Sequence, residues 1–337
     1  MKILYLPNEY SQQRQHEKKV KIYPVLMAME AEWYRNQGHE VEWGQLSSCS
    51  GKGYIIKDGE FIKQEYDKVI TEAEGLPFLD LPHPDREFTR AKEYTSGNYK
   101  YLPGTHMQSA DGCWHGKCTF CVEKKKTYQV REVRDVIREI KECVSMGFNE
   151  VFDDSGTFPT GEWRDNFNEA MWATKLNKKV KIGCNMRFGT NPPFKDMKIA
   201  GYRMLLYGLE SANQKTLDKI NKGIDISKVE EELKVASRAG LEPHICVIFG
   251  YPFETDNDAQ DTLKFVWRML RKGYAKTAQA SFYSTPDGKC NENHRKYVKQ
   301  IYNVGYDPRF WLTKLRDIKD VHDIKYLWKS IKMGLNK

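Results

Sequence analysis

Three cysteines, Cys113, Cys118 and Cys121, fall within nine residues in the run Gly112-Cys113-Trp114-His115-Gly116-Lys117-Cys118-Thr119-Phe120-Cys121. Thiolates gathered on one loop ligate soft metals. The count of three is informative. A four-iron cluster held by three cysteines keeps one iron without a protein ligand, and that iron is free to take a small molecule through nitrogen and oxygen. A structural zinc site wants a fourth donor. His115 is the local candidate, but it lies between two of the thiols, where four donors converge with difficulty. The other five of the eight cysteines (Cys49, Cys143, Cys184, Cys246 and Cys290) are scattered singly and read as small buried hydrophobes. Eight cysteines in 337 residues are too sparse for a disulfide scaffold.

The elements that must position this loop form a regular rhythm. From Thr105 onward the strand candidates are 107–110, 150–153, 180–184, 203–207, 244–249 and 277–283. Helical patterns separate them, over 130–146, 163–176, 227–239 and 256–270. In the first of these Val133, Val136, Ile137, Ile140 and Val144 form one stripe opposite Arg134, Arg138, Glu139 and Lys141. Six strands alternating with helices predict an α/β fold with a parallel sheet, and six units are too few for a complete eight-fold barrel, which takes about 250 residues. The expectation is a partial, TIM-like (βα)6 barrel over residues 105–290. The cysteine loop then follows the first strand, on the rim where such barrels do chemistry.

Upstream, Ile3-Leu4-Tyr5-Leu6, a helical pattern from Tyr23 to Gln37 and Glu40-Val41-Glu42-Trp43 make a βαβ unit, with Lys68-Val69-Ile70 as a third strand. Residues 1–75 therefore read as a small α/β domain of degenerate Rossmann-like type. Residues 76–104, rich in Pro, Gly and charge, read as a linker. Residues 291–337 read as a helical, basic C-terminal extension with Tyr297, Ile301, Phe310, Trp311, Leu315, Leu327 and Trp328 as core candidates.

Charged residues make up 30% and the hydrophobic set 40%, so the chain can bury a core. Lys and Arg number 54 against 46 Asp and Glu, and the net +8 is too diffuse to argue for nucleic acid. No apolar run is long enough to span a membrane, and the first residues carry no export signal. A cytoplasmic protein is the expectation.

The cysteine trio, with Phe120 before its third member and six βα units behind it, resembles the radical S-adenosylmethionine (radical SAM) superfamily. The spacing is four residues then two, where the family has three then two. Further segments match in order: Phe152–Phe158 after the second strand, Asn185-Met186-Arg187 after the third, Tyr207–Ser211 and Leu217–Gly223 after the fourth, Val247–Thr255 after the fifth and Phe282–Gly288 after the sixth. The combination is most like the branch whose members often carry an N-terminal cobalamin-binding domain.

The resemblance implies a radical SAM enzyme. Cys113, Cys118 and Cys121 would hold a [4Fe–4S] cluster, and S-adenosylmethionine would be cleaved there to a 5′-deoxyadenosyl radical that modifies a substrate, by methylation or by peptide or small-molecule modification. Phe120, Asp153, Asp154, Ser155, Arg187, Glu210 and Ser211 would bind the cofactor: the carboxylates its ammonium, Glu210 and Ser211 its amine or ribose hydroxyls, Arg187 its carboxylate. Each also has a plainer reading. Asp153-Asp154-Ser155 taken alone reads as a helix cap, a reading the cysteine trio outweighs; Glu210-Ser211 reads equally as a capping pair, Arg187 as the partner of a nearby carboxylate, Gly208 as a tight turn, and Lys124-Lys125-Lys126 as a solvated charge run.

The N-terminal unit resembles the start of a cobalamin-binding domain but lacks the Asp-x-His-x-x-Gly signature. His16 and His39 stand in no cobalt-ligating context, so cobalamin binding is left open without a protein ligand. The expected partners are a substrate and an electron donor such as flavodoxin or ferredoxin, with neither membrane nor nucleic acid. The rival reading is a zinc- or cluster-bearing nucleic-acid binder that uses the basic, aromatic tail.

Overall fold

The computed structural model describes residues 1–5, 24–44, 54–57, 60–63, 66–70, 72–94, 96–283 and 289–335. Expectations that rest on His16, Cys49 and residues 284–288 lie outside them. The chain opens with β1 (Lys2–Tyr5), α1 (Val25–Asn36) and β2 (Glu40–Trp43), and β1 pairs with β2 in parallel. β3 (Tyr54–Lys57) and β4 (Glu60–Lys63) make an antiparallel hairpin that the sequence reading did not include. β5 (Lys68–Ile70) then joins the other side of β1, giving the order β2-β1-β5. Helix α1 buries Val25, Met27, Ala28 and Met29. Its buried Glu30 accepts from the backbone N–H groups of Glu74, Gly75 and Leu76, and so ties the helix to the chain leaving the sheet.

Residues 76–104 are not a free tether. Phe78, Leu81, Ala91, Tyr94 and Tyr99 are buried there. Arg86 is buried too, donating to the Glu139 carboxylate and to the His106 carbonyl at 2.9 Å. Proline and glycine stop regular elements but do not keep the intervening apolar side chains out of a core, so a linker composition hides a packed layer.

The second sheet begins with β6 (Gly104–Met107), after which β7 (Ala110–Asp111) and β8 (Gln129–Val130) pair antiparallel. There follow α2 (Val133–Ser145), β9 (Glu150–Asp153), α3 (Glu162–Ala173), β10 (Lys181–Met186) and α4 (Phe194–Ile199). β11 (Tyr202–Glu210), α5 (Gln214–Lys219), α6 (Ile226–Arg238), β12 (Glu242–Phe249), α7 (Asp256–Lys272) and β13 (Thr277–Phe282) complete the rhythm. The six strands run parallel in the order β13-β12-β11-β10-β9-β6. This is the partial TIM-like barrel the alternation predicts. Its first strand ends at Met107, earlier than expected, because Ser109 and Ala110 turn their N–H groups to side chains at the end of β9.

At the opposite end of the sheet the strand starts carry a buried charge network. Arg203 donates to Glu150 Oε1 at 2.5 and 3.0 Å, to Glu242 Oε2 at 2.6 Å and to the Asn98 carbonyl at 2.5 Å. Lys100 joins Glu242 at 2.7 Å and pairs with Asp323 of the C-terminal extension.

That extension comprises α8 (Arg295–Gln300), α9 (Pro308–Arg316) and α10 (Val321–Leu335). Tyr297 and Ile301 are buried, but Leu315 and Trp328 are 57% and 59% exposed, against expectation. Phe310 of α9 packs against the core, and polar contacts add to the seat of these helices: Thr313 is bonded to the Arg271 carbonyl at 2.9 Å, and Asp323 pairs with Lys100. Among the described residues no helix is long and apolar enough to cross a membrane.

Candidate active site

The short β7–β8 pairing closes the base of the cysteine loop, because Asp111 faces Gln129 and Ala110 faces Val130. The loop is seated on a single turn after α5. Thr119 N donates to the Ile220 carbonyl at 3.0 Å, and His115 Nε2 donates to the Asn221 carbonyl at 2.9 Å. Arg187, from the end of β10, donates to the Lys222 carbonyl. Three consecutive carbonyls thus face the thiol loop and its neighbouring arginine. The turn exposes them because Asn221 and Gly223 both take positive φ, 52° and 63°. At Gly223 a Cβ would lie 3.0 Å from Arg187 Nη2 and 3.3 Å from the His115 ring, so glycine allows the close approach.

All three thiols are free, with Cys118 buried and Cys113 and Cys121 half-buried. Cys113 Sγ lies 2.9 Å from Thr157 Oγ1. Burial pushes the Cys118 thiol up, while Lys222 and Arg187 pull it back. Burial likewise raises Cys121. Two cations beside a group of thiols are the compensation an anionic thiolate cluster needs. Among the described residues no three His, Cys, Asp or Glu side chains converge to hold a single metal ion. A four-iron cluster takes its thiolates on separate irons and does not ask for that convergence. His115 commits its Nε2 to the Asn221 carbonyl.

Glu210 ends β11 with φ 67°, and its Oε1 accepts from Lys222 Nζ at 2.8 Å. Both side chains are about a tenth exposed. Gly208 does not serve a turn. A Cβ there would meet Glu210 Oε1 at 2.5 Å and Lys222 Nζ at 2.9 Å, so the glycine makes room for this ion pair. Arg187 lies 5.6 Å from the Trp114 ring, and its guanidinium is desolvated. It takes a carbonyl partner rather than the carboxylate that was the plainer expectation.

Asp153 and Ser155 stay inside the scaffold. Asp153 Oδ2 accepts from Ser109 N at 3.1 Å and Oδ1 from Ser155 N at 3.0 Å, while Ser155 Oγ accepts from Ser109 N and Ala110 N. They bind the ends of β6 and β9 together below the loop and cap no helix, since α3 starts only at Glu162 after Gly161. Asp154, between them, is exposed. Ser211 accepts from Asn213 N at 3.1 Å and lies 3.2 Å from Thr262 Oγ1, while Asn213 itself caps α5. Lys124 donates to the Thr119 carbonyl and Lys126 pairs with Asp111 at 2.9 Å, so both are bound to the chain.

Phe120 packs edge-on against Tyr251 at 6.2 Å, with Lys222 Nζ 6.0 Å from its ring. Tyr251 is 1% exposed, and its hydroxyl has no hydrogen-bond partner among the described residues. Lys222, Thr157 and Tyr251 are thus site residues that the sequence reading did not assign. Lys222 was readable only as part of a matching helix end. Its link to Glu210 crosses a turn whose shape no spacing rule encodes.

Residues 107–266 match a family model described as Radical SAM superfamily. A Methanocaldococcus jannaschii protein carrying the name "Putative methylthiotransferase" is 28% identical over 227 residues, 62% of this chain and 48% of the relative. A Pyrococcus horikoshii protein named "Uncharacterized methyltransferase" is 34% identical over 89 residues, 26% of this chain and 19% of the relative. The chain therefore spans about half the length of the first and a fifth of the second. Among solved structures, the radical S-adenosylmethionine methyltransferase TsrM from Kitasatospora setae, with cobalamin and a [4Fe-4S] cluster bound, superposes with a TM-score of 0.57 at 11% identity. The match covers 83% of this chain and 74% of that one, a likeness of fold.

Proposed function

The chain belongs to the radical SAM superfamily through residues 107–266, and from that premise we propose that it cleaves S-adenosylmethionine reductively and uses the resulting radical on a substrate. The observation that carries this reading is the thiol loop seated on the Ile220–Lys222 turn, beside Arg187 and the Glu210–Lys222 pair. Cys113, Cys118 and Cys121 fit a [4Fe–4S] cluster by number, by placement on one loop and by the cations next to them. Such a cluster, when bound, supplies the electron for sulfonium cleavage and an open iron for the methionine end of the cofactor.

The rest is the work of the chain. Glu210, held by Lys222, accepts from the cofactor's ammonium or ribose hydroxyls. The exposed Asp154 is the second acceptor, with Asp153 and Ser155 holding the strand ends beneath it. Arg187 meets the carboxylate with the donors its Lys222 contact leaves free. Phe120 and Tyr251 wall the loop and exclude water from the reacting bond.

Methyl or methylthio transfer is the subclass favoured by the names of the two curated relatives. At the C-terminal ends of β1 and β2, where an open parallel sheet receives ligands, Tyr5 stacks on Trp43 and the Trp43 indole donates to Tyr94 at 3.2 Å. These three rings are buried against one another, and the described residues there carry no cobalt-ligating imidazole.

The test is anaerobic reconstitution with iron and sulfide, then dithionite and S-adenosylmethionine, with 5′-deoxyadenosine quantified by mass spectrometry. Product from the wild type and none from the triple cysteine-to-alanine variant supports the reading. A fully loaded protein that neither binds nor cleaves S-adenosylmethionine refutes it.

A further inference from the structure

The loop after β12 that carries Tyr251 is held from outside the matched family segment. Asn291 N donates to the Gly250 carbonyl at 2.9 Å, and Asn291 Nδ2 donates to the Glu254 carbonyl at 3.2 Å. Glu254 Oε2 accepts both from Gly250 N at 2.8 Å and from His294 Nδ1 at 2.9 Å. Asn291 Nδ2 also lies 3.2 Å from His294 Nε2. An amide N–H only donates, so Nε2 is the acceptor and the ring's proton sits on Nδ1, facing the carboxylate. One turn further on, Tyr297 donates to Asp256 Oδ1 at 2.7 Å.

Glu254 and His294 are 3% and 2% exposed. Burial raises the Glu254 carboxyl, against the N–H of Gly250 and the imidazole. A buried carboxylate with a histidine is a costly way to pin a loop that has no role. What it pins is specific. The Glu254 N–H closes a turn on the Tyr251 carbonyl at 3.0 Å. Tyr251, between Tyr283 at 4.7 Å and Phe253 at 5.6 Å, meets Phe120 one residue before Cys121.

We propose that His294 is a positioning residue for the active site: through Glu254 it fixes the Gly250–Thr255 loop, so that Tyr251 stands against Phe120 and the cofactor-binding face is formed before S-adenosylmethionine arrives. The proposal rests on the functional reading above. It gives the C-terminal extension a part in cofactor affinity rather than in bulk stability alone.

The test compares the full chain as wild type, His294→Leu and His294→Asn. Asparagine keeps a donor close to the place of Nδ1, and leucine keeps volume without one. Hydrogen exchange on the chain without cluster reads the loop itself, and calorimetry with S-adenosylmethionine on reconstituted protein reads the site. The leucine variant is expected to exchange faster at 250–255 with α2 unchanged, and to bind S-adenosylmethionine about tenfold more weakly, the scale of a sub-ångström loss of preorganisation. The asparagine variant is expected to recover both. Unchanged exchange in the leucine variant overturns the clamp. A loosened loop with wild-type affinity overturns its positioning role, as does an asparagine variant no better than leucine. Wild-type protein that binds no S-adenosylmethionine defeats the functional reading itself, and this proposal with it, whatever the variants do.

Discussion

Gly208→Ala probes how much the site depends on the placement of one carboxylate. The new methyl carbon would stand 2.5 Å from Glu210 Oε1, where ordinary contact begins at 3.4 Å, so the oxygen has to retreat by about 0.9 Å. Retreat away from Lys222 lengthens the 2.8 Å ion pair to about 3.7 Å. At an effective dielectric of about 20, suited to side chains about a tenth exposed, the attraction falls from about 6 to about 4.5 kcal/mol. The difference of about 1.4 kcal/mol corresponds to roughly a tenfold change in an equilibrium. Gly208 has no positive φ, so the backbone itself accepts alanine. The expected result is S-adenosylmethionine binding weakened about tenfold in calorimetry on reconstituted protein, with iron content and the unfolding temperature close to wild type. Affinity within twofold of wild type would show that the Glu210–Lys222 geometry does not serve the cofactor.

Other consequences can be checked independently. Cys118→Ala should abolish cluster absorbance and 5′-deoxyadenosine formation while far-ultraviolet circular dichroism stays native, and retained cleavage would remove Cys118 from the ligand set. Arg203→Met leaves Glu150 and Glu242 short of their buried cation, a loss of about 3–5 kcal/mol. At about 2 cal/mol/K per residue over 337 residues, that lowers the melting temperature by roughly 4–7 °C, and calorimetric scanning reads it directly. Burial alone would raise the Glu139 and Glu242 carboxyls, but Arg131 with Arg86, and Arg203 with Lys100, hold them down at about 2. The unfolded chain, with carboxyls at 4.5, therefore binds more protons between pH 4.5 and 2. Stability present above pH 4.5 should drain across that window, and Glu139→Gln should flatten its share of the decline in melting temperature.

The barrel was legible because its strands are apolar runs and its helices carry one stripe, patterns that survive without knowledge of neighbours. Glu150–Asp153, read from the strand–helix rhythm, and Glu40–Trp43, read from its alternation, emerge with the expected bounds. The thiol loop was legible because three ligands stand close together in the chain. The seat of that loop was not, since Thr119 finds Ile220, and Arg187 finds Lys222, only after β10 and β11 are laid side by side. The scaffold bonds of Asp153 and Ser155 were hidden for a related reason. The same residue types that contact a ligand at a strand end also fasten two strand ends together, and only the positions of the Ser109 and Ala110 N–H groups decide. In the tail, the apolar candidates Tyr297, Ile301 and Phe310 do reach the core, whereas Leu315 and Trp328 stay outside and Thr313, Lys314 and Asp323 add polar contacts inward.

The order β13-β12-β11-β10-β9-β6 bears on how the chain is made. Each strand of this sheet lies beside the one synthesised before it, so a nascent chain leaving the ribosome can add strands at a single growing edge and never has to open a finished pair. The thiol loop is translated near the beginning of that sequence, and the turn that brackets it comes only after β11. A ribosome-stalled chain ending before Ile220 therefore presents three unbracketed thiols, open to oxidants and to stray metal. Release of the fourth strand and its turn is the moment at which the loop acquires its own seat.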